Sequence, residues 1–282
     1  MAKTLFSFGH GYTARALARD LNPQRWTMIG TTRSQEALGE IAAQGATPLL
    51  WPGDVPDLNG VTHLLISIAP KADGDPVLNA LGNEIAARAG QFNWVGYLST
   101  TAVYGDHGGD WVDEATPPSP TAERGRWRLA AERQWAAIPD LPLHIFRLAG
   151  IYGPGRGPFS KLRRGGLRRI IKPGQVFSRI HVDDISQVLQ ASMARPDPGA
   201  VYNVCDDEPV PPQDVIAYAA ELQGLPLPPA VSFDEADLTP MARSFYSENK
   251  RVRNTRIKEE LGVTLLYPDY RVGLNALAGG GF

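Results

Sequence analysis

Leu5-Phe6-Ser7-Phe8-Gly9-His10-Gly11-Tyr12-Thr13-Ala14-Arg15-Ala16-Leu17-Ala18 is the stretch that decides the fold of this 282-residue chain. A run of strand character enters glycines spaced GxGxxA, and a helix-forming segment follows at once. Gly9 permits a tight turn, Gly11 lets a pyrophosphate approach the backbone, and the small Ala14 lets helix pack closely on strand. Free amides and the dipole at the new helix's N-terminus favour phosphate oxygens. Gly9, His10, Gly11, Tyr12, Thr13 and Ala14 are therefore expected to hold a dinucleotide, with His10 contributing only its backbone. A glycine turn without a ligand is the competing reading. The motif's place at the first strand-to-helix turn of an α/β chain weighs against it.

Outward from this loop, apolar runs of strand length recur at Thr4 to Phe8, Trp26 to Thr31, Thr47 to Trp51, Thr62 to Ile68, Trp94 to Ser99 and Leu143 to Leu148. Segments of helical spacing separate them: Tyr12 to Leu21, Gln35 to Gln44, Leu78 to Ala89 and Glu123 to Ile138. Strands alternating with helices predict an α/β fold of the Rossmann type, a doubly wound parallel sheet with helices on both faces. After Gly150, Gly and Pro become frequent and elements shorten, which predicts a loop-rich lobe. The expected organisation is a dinucleotide-binding domain over residues 1–150 and a smaller α/β substrate lobe over 151–282. Residues around 176–204, with the apolar Val201 to Val204, return to the sheet.

At the end of the second strand, Ile29-Gly30-Thr31-Thr32-Arg33-Ser34 lacks the carboxylate that commonly binds the ribose hydroxyls of NAD. Arg33 instead matches a 2′-phosphate, so Thr32 and Arg33 predict NADP, with NAD as the alternative. A solvated charge ahead of a helix is the bland reading of Arg33.

With 28 Lys and Arg against 30 Asp and Glu, the formal net charge is -2, which argues against a nucleic-acid partner. The basic run Lys161 to Arg169 is read as a solvated or pocket-rim segment. The single cysteine, Cys205, forms neither an internal disulfide nor a multi-cysteine metal site, and no metal is expected. With no signal peptide or membrane span legible, the expectation is a cytoplasmic protein without a membrane partner.

Several further motifs fall in order: Gly53-Asp54, Leu98-Ser99-Thr100-Thr101-Ala102-Val103-Tyr104-Gly105, Arg147-Leu148-Ala149-Gly150-Ile151-Tyr152-Gly153-Pro154-Gly155, Ile180-His181-Val182-Asp183-Asp184 and Glu260-Leu261-Gly262. With the glycine loop, they make the chain resemble the extended short-chain dehydrogenase/reductase family of epimerases and dehydratases, and its atypical members most. The resemblance implies Asp54 near the adenine, Ile68 and Ala69 along the cofactor, and Thr100 at the catalytic hydroxyl position. By analogy alone it implies a homodimer.

The family works with Ser or Thr, Tyr and Lys, the Tyr moving a substrate proton while hydride passes to or from the nicotinamide. The matching positions here are Arg124 and Arg128, four apart and on one helical face. Arginine stays protonated, so neither can pass that proton. Tyr246 and Lys250 repeat the YxxxK spacing, but they lie after the sheet is complete and are read as coincidence. His107 is the leading alternative acid or base, ahead of Asp106, Glu123, Tyr104 and Tyr152. The two arginines either bind an anionic small-molecule substrate or pair with Glu123 and Glu132. Two readings follow: an NADP-dependent oxidoreductase or epimerase-like enzyme acting on a small anionic or sugar-derived substrate with a non-standard acid/base group, or a non-catalytic NADP-binding redox sensor. The retained lobe favours the enzyme.

Overall fold

The structure is a computed structural model that describes residues 3–279. Seven strands form one parallel sheet: β1 (Lys3–Phe8), β2 (Trp26–Thr32), β3 (Thr47–Leu50), β4 (His63–Ile66), β5 (Trp94–Thr100), β6 (Leu143–Leu148) and β7 (Val201–Val204). Their order across the sheet is β7-β6-β5-β4-β1-β2-β3. The chain winds outward from β1 through β2 to β3, then returns to the other side of β1 and continues to β7. The reversal leaves a crevice beside β1 at the carboxyl ends of the strands, where open α/β sheets bind ligands.

Alternation along each strand feeds two cores. Leu5, Leu65, Leu98 and Phe146 face α1 (Tyr12–Asp20) and α6 (Val182–Ala194), while Phe6, Leu64, Tyr97 and Ile145 face α3 (Pro76–Ala87) and α4 (Glu123–Ala136). A period of two with both faces apolar is what a doubly covered parallel strand requires. Trp94 anchors β5 to α6, its indole N–H donating to Ser192 Oγ at 3.0 Å. The helix α2 (Ala37–Ala43) covers the outer strands, burying Ile41.

Segments after Gly150 build a separate apolar cluster in which Tyr152, Phe159 of α5 (Pro158–Arg164), Val215 of α7 (Pro212–Leu222) and Leu274 of the helix Tyr270–Gly279 meet. A short helix, α8 (Pro240–Phe245), projects from this lobe with no buried side chain. No helix among the described residues is long and apolar enough to cross a membrane, and no group of His, Cys, Asp and Glu among them could hold a metal ion.

Candidate functional site

The carboxyl ends of β1, β2, β4 and β5 open into a cleft of about 2080 Å³, and the lobe supplies its opposite wall. The loop after β1 forms the floor. Gly9 has φ +81°, and a Cβ there would lie 2.8 Å from Ile68 Cγ1, so both conformation and space demand glycine. The Gly9 N–H donates to Thr31 Oγ1 at 2.8 Å, the His10 N–H donates to Thr31 O at 2.8 Å, and the Ser67 hydroxyl donates to Gly9 O. These bonds fasten the loop to β2 and β4. Gly11 caps α1 without any side-chain hydrogen bond, and a Cβ on it would meet nothing closer than Gly9 O at 3.9 Å. That face of the loop and the first amides of α1 are therefore open to the cleft. Ala14 and Thr13 are buried where α1 rests on the sheet.

Tyr12 reaches across the cleft. Its hydroxyl donates to Pro154 O at 3.0 Å, and the Arg156 guanidinium lies 5.5 Å from its ring centre. Burial pushes the phenol up to about 12. His10 does more than lend its backbone. Its ring is buried beneath the loop against Gly30, and neither ring nitrogen has a hydrogen-bond partner among the described residues. Burial, then the nearby Arg15 charge, lowers its pKa to about 4, so the ring is neutral at pH 7.

At the far end of the floor, Thr32 Oγ1 accepts the Ser34 N–H at 3.1 Å, and Arg33 lines the cleft with no ion pair among the described residues. Ile68 and Ala69 also line the wall. Asp54 does not. Its Oδ2 accepts the Leu50 N–H at 2.9 Å, closing the turn after β3, and the wall there is formed by Trp51 and Pro52.

Thr100 ends β5 at the centre of the cleft. Its Oγ1 accepts the Ala102 N–H at 3.2 Å, which leaves the hydroxyl proton to donate. Arg124, at the start of α4, is exposed on the cleft wall with no partner for its guanidinium among the described residues. Arg128 differs: Nη1 donates to Leu98 O at 2.6 Å and to Tyr97 OH at 3.4 Å, and the guanidinium lies over the Tyr97 ring. Neither arginine pairs with Glu132, which binds Arg147 at 2.8 Å and accepts the Ser99 hydroxyl in a buried network behind β5. His107 stands off the cleft wall. A ring nitrogen lies 3.1 Å from Tyr104 O and the backbone N–H of His107 donates to Asn249 O at 3.0 Å, so the residue fastens a turn. Of the other candidates, Glu123 and Tyr152 line the cleft, while the Tyr104 hydroxyl is buried between Asn203 and Arg147.

The lobe brings into the cleft the segment that repeats the YxxxK spacing, although it follows the completed sheet. Tyr246, Glu248 and Lys250 all line the cleft. Lys250 Nζ donates to Gly105 O and to Glu248 Oε2, each at 2.7 Å, and Glu248 Oε1 accepts the Thr121 hydroxyl at 2.7 Å. The segment thereby ties the loop after β5 to the approach of α4. The Tyr246 ring packs between Phe177 and Phe233, and its phenol has no hydrogen-bond partner among the described residues. Burial pushes the phenol above its ordinary value, against the opposing Arg179 charge.

No family model matches the chain. A functionally unknown conserved protein from Silicibacter pomeroyi DSS is 78% identical, each chain covered to 98%, with a TM-score of 0.96. The two chains belong to one family. Protein YeeZ of Escherichia coli (strain K12) is 26% identical over 93% of this chain and 95% of its own. Human epimerase family protein SDR39U1 (isoform 2), solved with NADPH, is similar at a TM-score of 0.75 and 15% identity, over 98% of this chain and 99% of its own. UDP-glucuronic acid 4-epimerase from Bacillus cereus, solved with UDP-glucuronic acid and NAD, is similar at 0.78 and 16%, each chain covered to 98%. The protein therefore has the α/β fold of epimerase/dehydratase and short-chain dehydrogenase/reductase proteins, as its sequence motifs imply.

Proposed function

We propose that the cleft binds NADP in preference to NAD and serves an oxidoreductase or epimerase-like reaction on a small anionic molecule. The observation that carries this reading is that one cleft joins the open face of the Gly9–Gly11 loop, the Thr100 hydroxyl and the unpaired Arg124 guanidinium. The NADPH and NAD in two proteins of the same fold lend support. The pyrophosphate would lie on Gly11 and the first amides of α1, and Arg33 would meet a 2′-phosphate. Bound, such a cofactor supplies hydride chemistry.

This chain's own residues divide the remaining tasks. Thr100 donates its hydroxyl proton as a hydrogen bond to a substrate oxygen beside β5. Arg124 holds an anionic group with its charge-assisted N–H groups. Arg128, engaged with Leu98 O, fixes α4 against β5. Proton movement falls to the Tyr246 phenol, which lines the cleft, and not to His107, which does not. The segments after Gly150 other than those around 176–204, which return to the sheet, act as the substrate lobe.

A second reading has one observation in its favour: the guanidinium of Arg128 is committed to the strand, and no charged partner prepares an acid beside Thr100. On that reading the protein is a non-catalytic NADP-binding redox sensor. Titration with NADPH and NADH, followed by nicotinamide fluorescence, tests the cofactor assignment. Tighter binding of NADPH is expected, and no binding of either dinucleotide overturns it.

A further inference from the structure

The lobe wall of the cleft has a chemical character that narrows the substrate. α8 carries Met241 and Phe245, which are 52% and 62% exposed and both line the cleft. They stand four apart, on one helical face. Single exposed apolar residues are ordinary on soluble proteins, but two on one face of a helix that buries nothing of its own form a surface waiting for contact. The helix is positioned and not merely trailing. The Thr239 hydroxyl oxygen accepts the Ala242 N–H at 3.2 Å, and Arg243 donates to Ala236 O at 3.0 Å while lying over the Phe233 ring. Val176, Phe177 and Leu274 continue this apolar wall from the lobe.

Two of the cations on that side are already engaged, while the Tyr246 phenol and the Arg156 guanidinium have no hydrogen-bond partner among the described residues. Lys250 is bonded to Glu248 and Gly105, and Arg179 Nη1 donates to Phe177 O at 2.9 Å. A nucleotide sugar brings a base, a diphosphate and several hydroxyls, each losing hydration on entry unless a partner receives it. The α8 face offers Met241 and Phe245 and receives such groups poorly. Arg124, on the α4 side, remains available to an anion.

Resting on the small-anionic-substrate reading above, we propose that the substrate is a molecule with an aromatic or hydrocarbon body and one anionic group, its body packed under α8 and its charge at Arg124. Met241 and Phe245 are then specificity-determining residues.

Calorimetric titration of the NADPH-saturated protein tests this with 2-naphthoate and UDP-glucose as probes. The wild type is expected to bind 2-naphthoate more tightly than UDP-glucose. A Met241→Asn/Phe245→Asn variant should weaken 2-naphthoate by about tenfold or more, since the buried area of two apolar side chains is lost. Arg124→Gln should weaken 2-naphthoate but not the uncharged 2-naphthalenemethanol. Unchanged 2-naphthoate affinity in the α8 variant, absent binding to the wild type, or tighter UDP-glucose binding overturns the proposal. The exposed positions allow thermal melting to verify the fold, and single Phe245→Asn serves if the double variant melts early. NADPH binding is measured first, by itself. Its absence would sink the cofactor reading, and the same naphthoate titration on the free protein would still judge the wall.

Discussion

The ring of His10 occupies the space above Gly30: a Cβ on Gly30 would fall 2.5 Å from His10 Cγ, well inside contact distance. A residue of the glycine loop is thus seated on β2, the strand paired directly with β1, through the absence of a side chain. Gly30→Ala must displace the ring or the loop, and it is expected to destabilise by about 1–3 kcal/mol and to weaken dinucleotide binding. Gly39→Ala on α2 is the control, because a Cβ there meets nothing within 4 Å. Chemical denaturation of both variants measures the difference.

The same buried ring makes stability depend on pH. The folded-state pKa of His10 is lowered to about 4 from 6.5, so between those values the unfolded chain binds the proton that the native state refuses. Its contribution is fully present above pH 6.5 and is lost as pH falls toward 4. A shift of this size corresponds to about 3 kcal/mol. His10→Asn is expected to flatten the pH dependence of unfolding free energy over this range relative to wild type. Parallel curves for the two proteins would contradict it.

Behind β5, Glu132 and Arg147 form an ion pair with side chains only 4% and 7% exposed. Glu132→Ala would leave the guanidinium buried without its carboxylate and is expected to cost about 3–5 kcal/mol. A urea titration checks this; a loss below about 1 kcal/mol, the level of an exposed pair, would show the network to be solvated.

Just past β2, Arg33 lines the cleft and has no ion pair among the described residues. Arg33→Ala is expected to weaken NADPH by about tenfold or more, the worth of a charge-assisted contact, while leaving NADH unchanged. Fluorescence titration of both dinucleotides reads the ratio. Equal loss for the two would assign Arg33 to general electrostatics, and no loss would remove it from the site.

What the sequence could show follows from the range of the forces involved. The strands β1, β2, β5 and β6 and the Gly9–Ala14 loop were legible because side-chain alternation and turn chemistry are written within a few residues. Val201 to Val204 was legible as a buried strand for the same reason. For Asp54 the structure shows a carboxylate closing a local turn to Leu50, a use that nothing in the residue's identity separates from facing an adenine. His107 sits beside Thr100 in sequence, yet its bonds to Tyr104 and Asn249 hold it in a turn off the cleft wall. Tyr246 and Lys250 show the reverse. Their approach to Gly105 and Thr121 is a long-range contact, made by Glu248 and Lys250, that spacing in a loop-rich lobe does not encode. The Gly30 contact with His10 likewise joins two elements through a missing side chain.

Dinucleotide binding as proposed above requires the open face of the glycine loop to receive a pyrophosphate. Gly11 has an ordinary negative φ of -93°, and its Cβ direction is unobstructed. Gly11→Val would therefore fill the proposed phosphate space with little disturbance of the fold. Calorimetric titration of NADPH into wild type and Gly11→Val is the direct measurement, with saturable binding expected for the wild type and its loss in a variant that melts normally. NADPH binding that is absent from the wild type, or equally tight in both proteins, would contradict it.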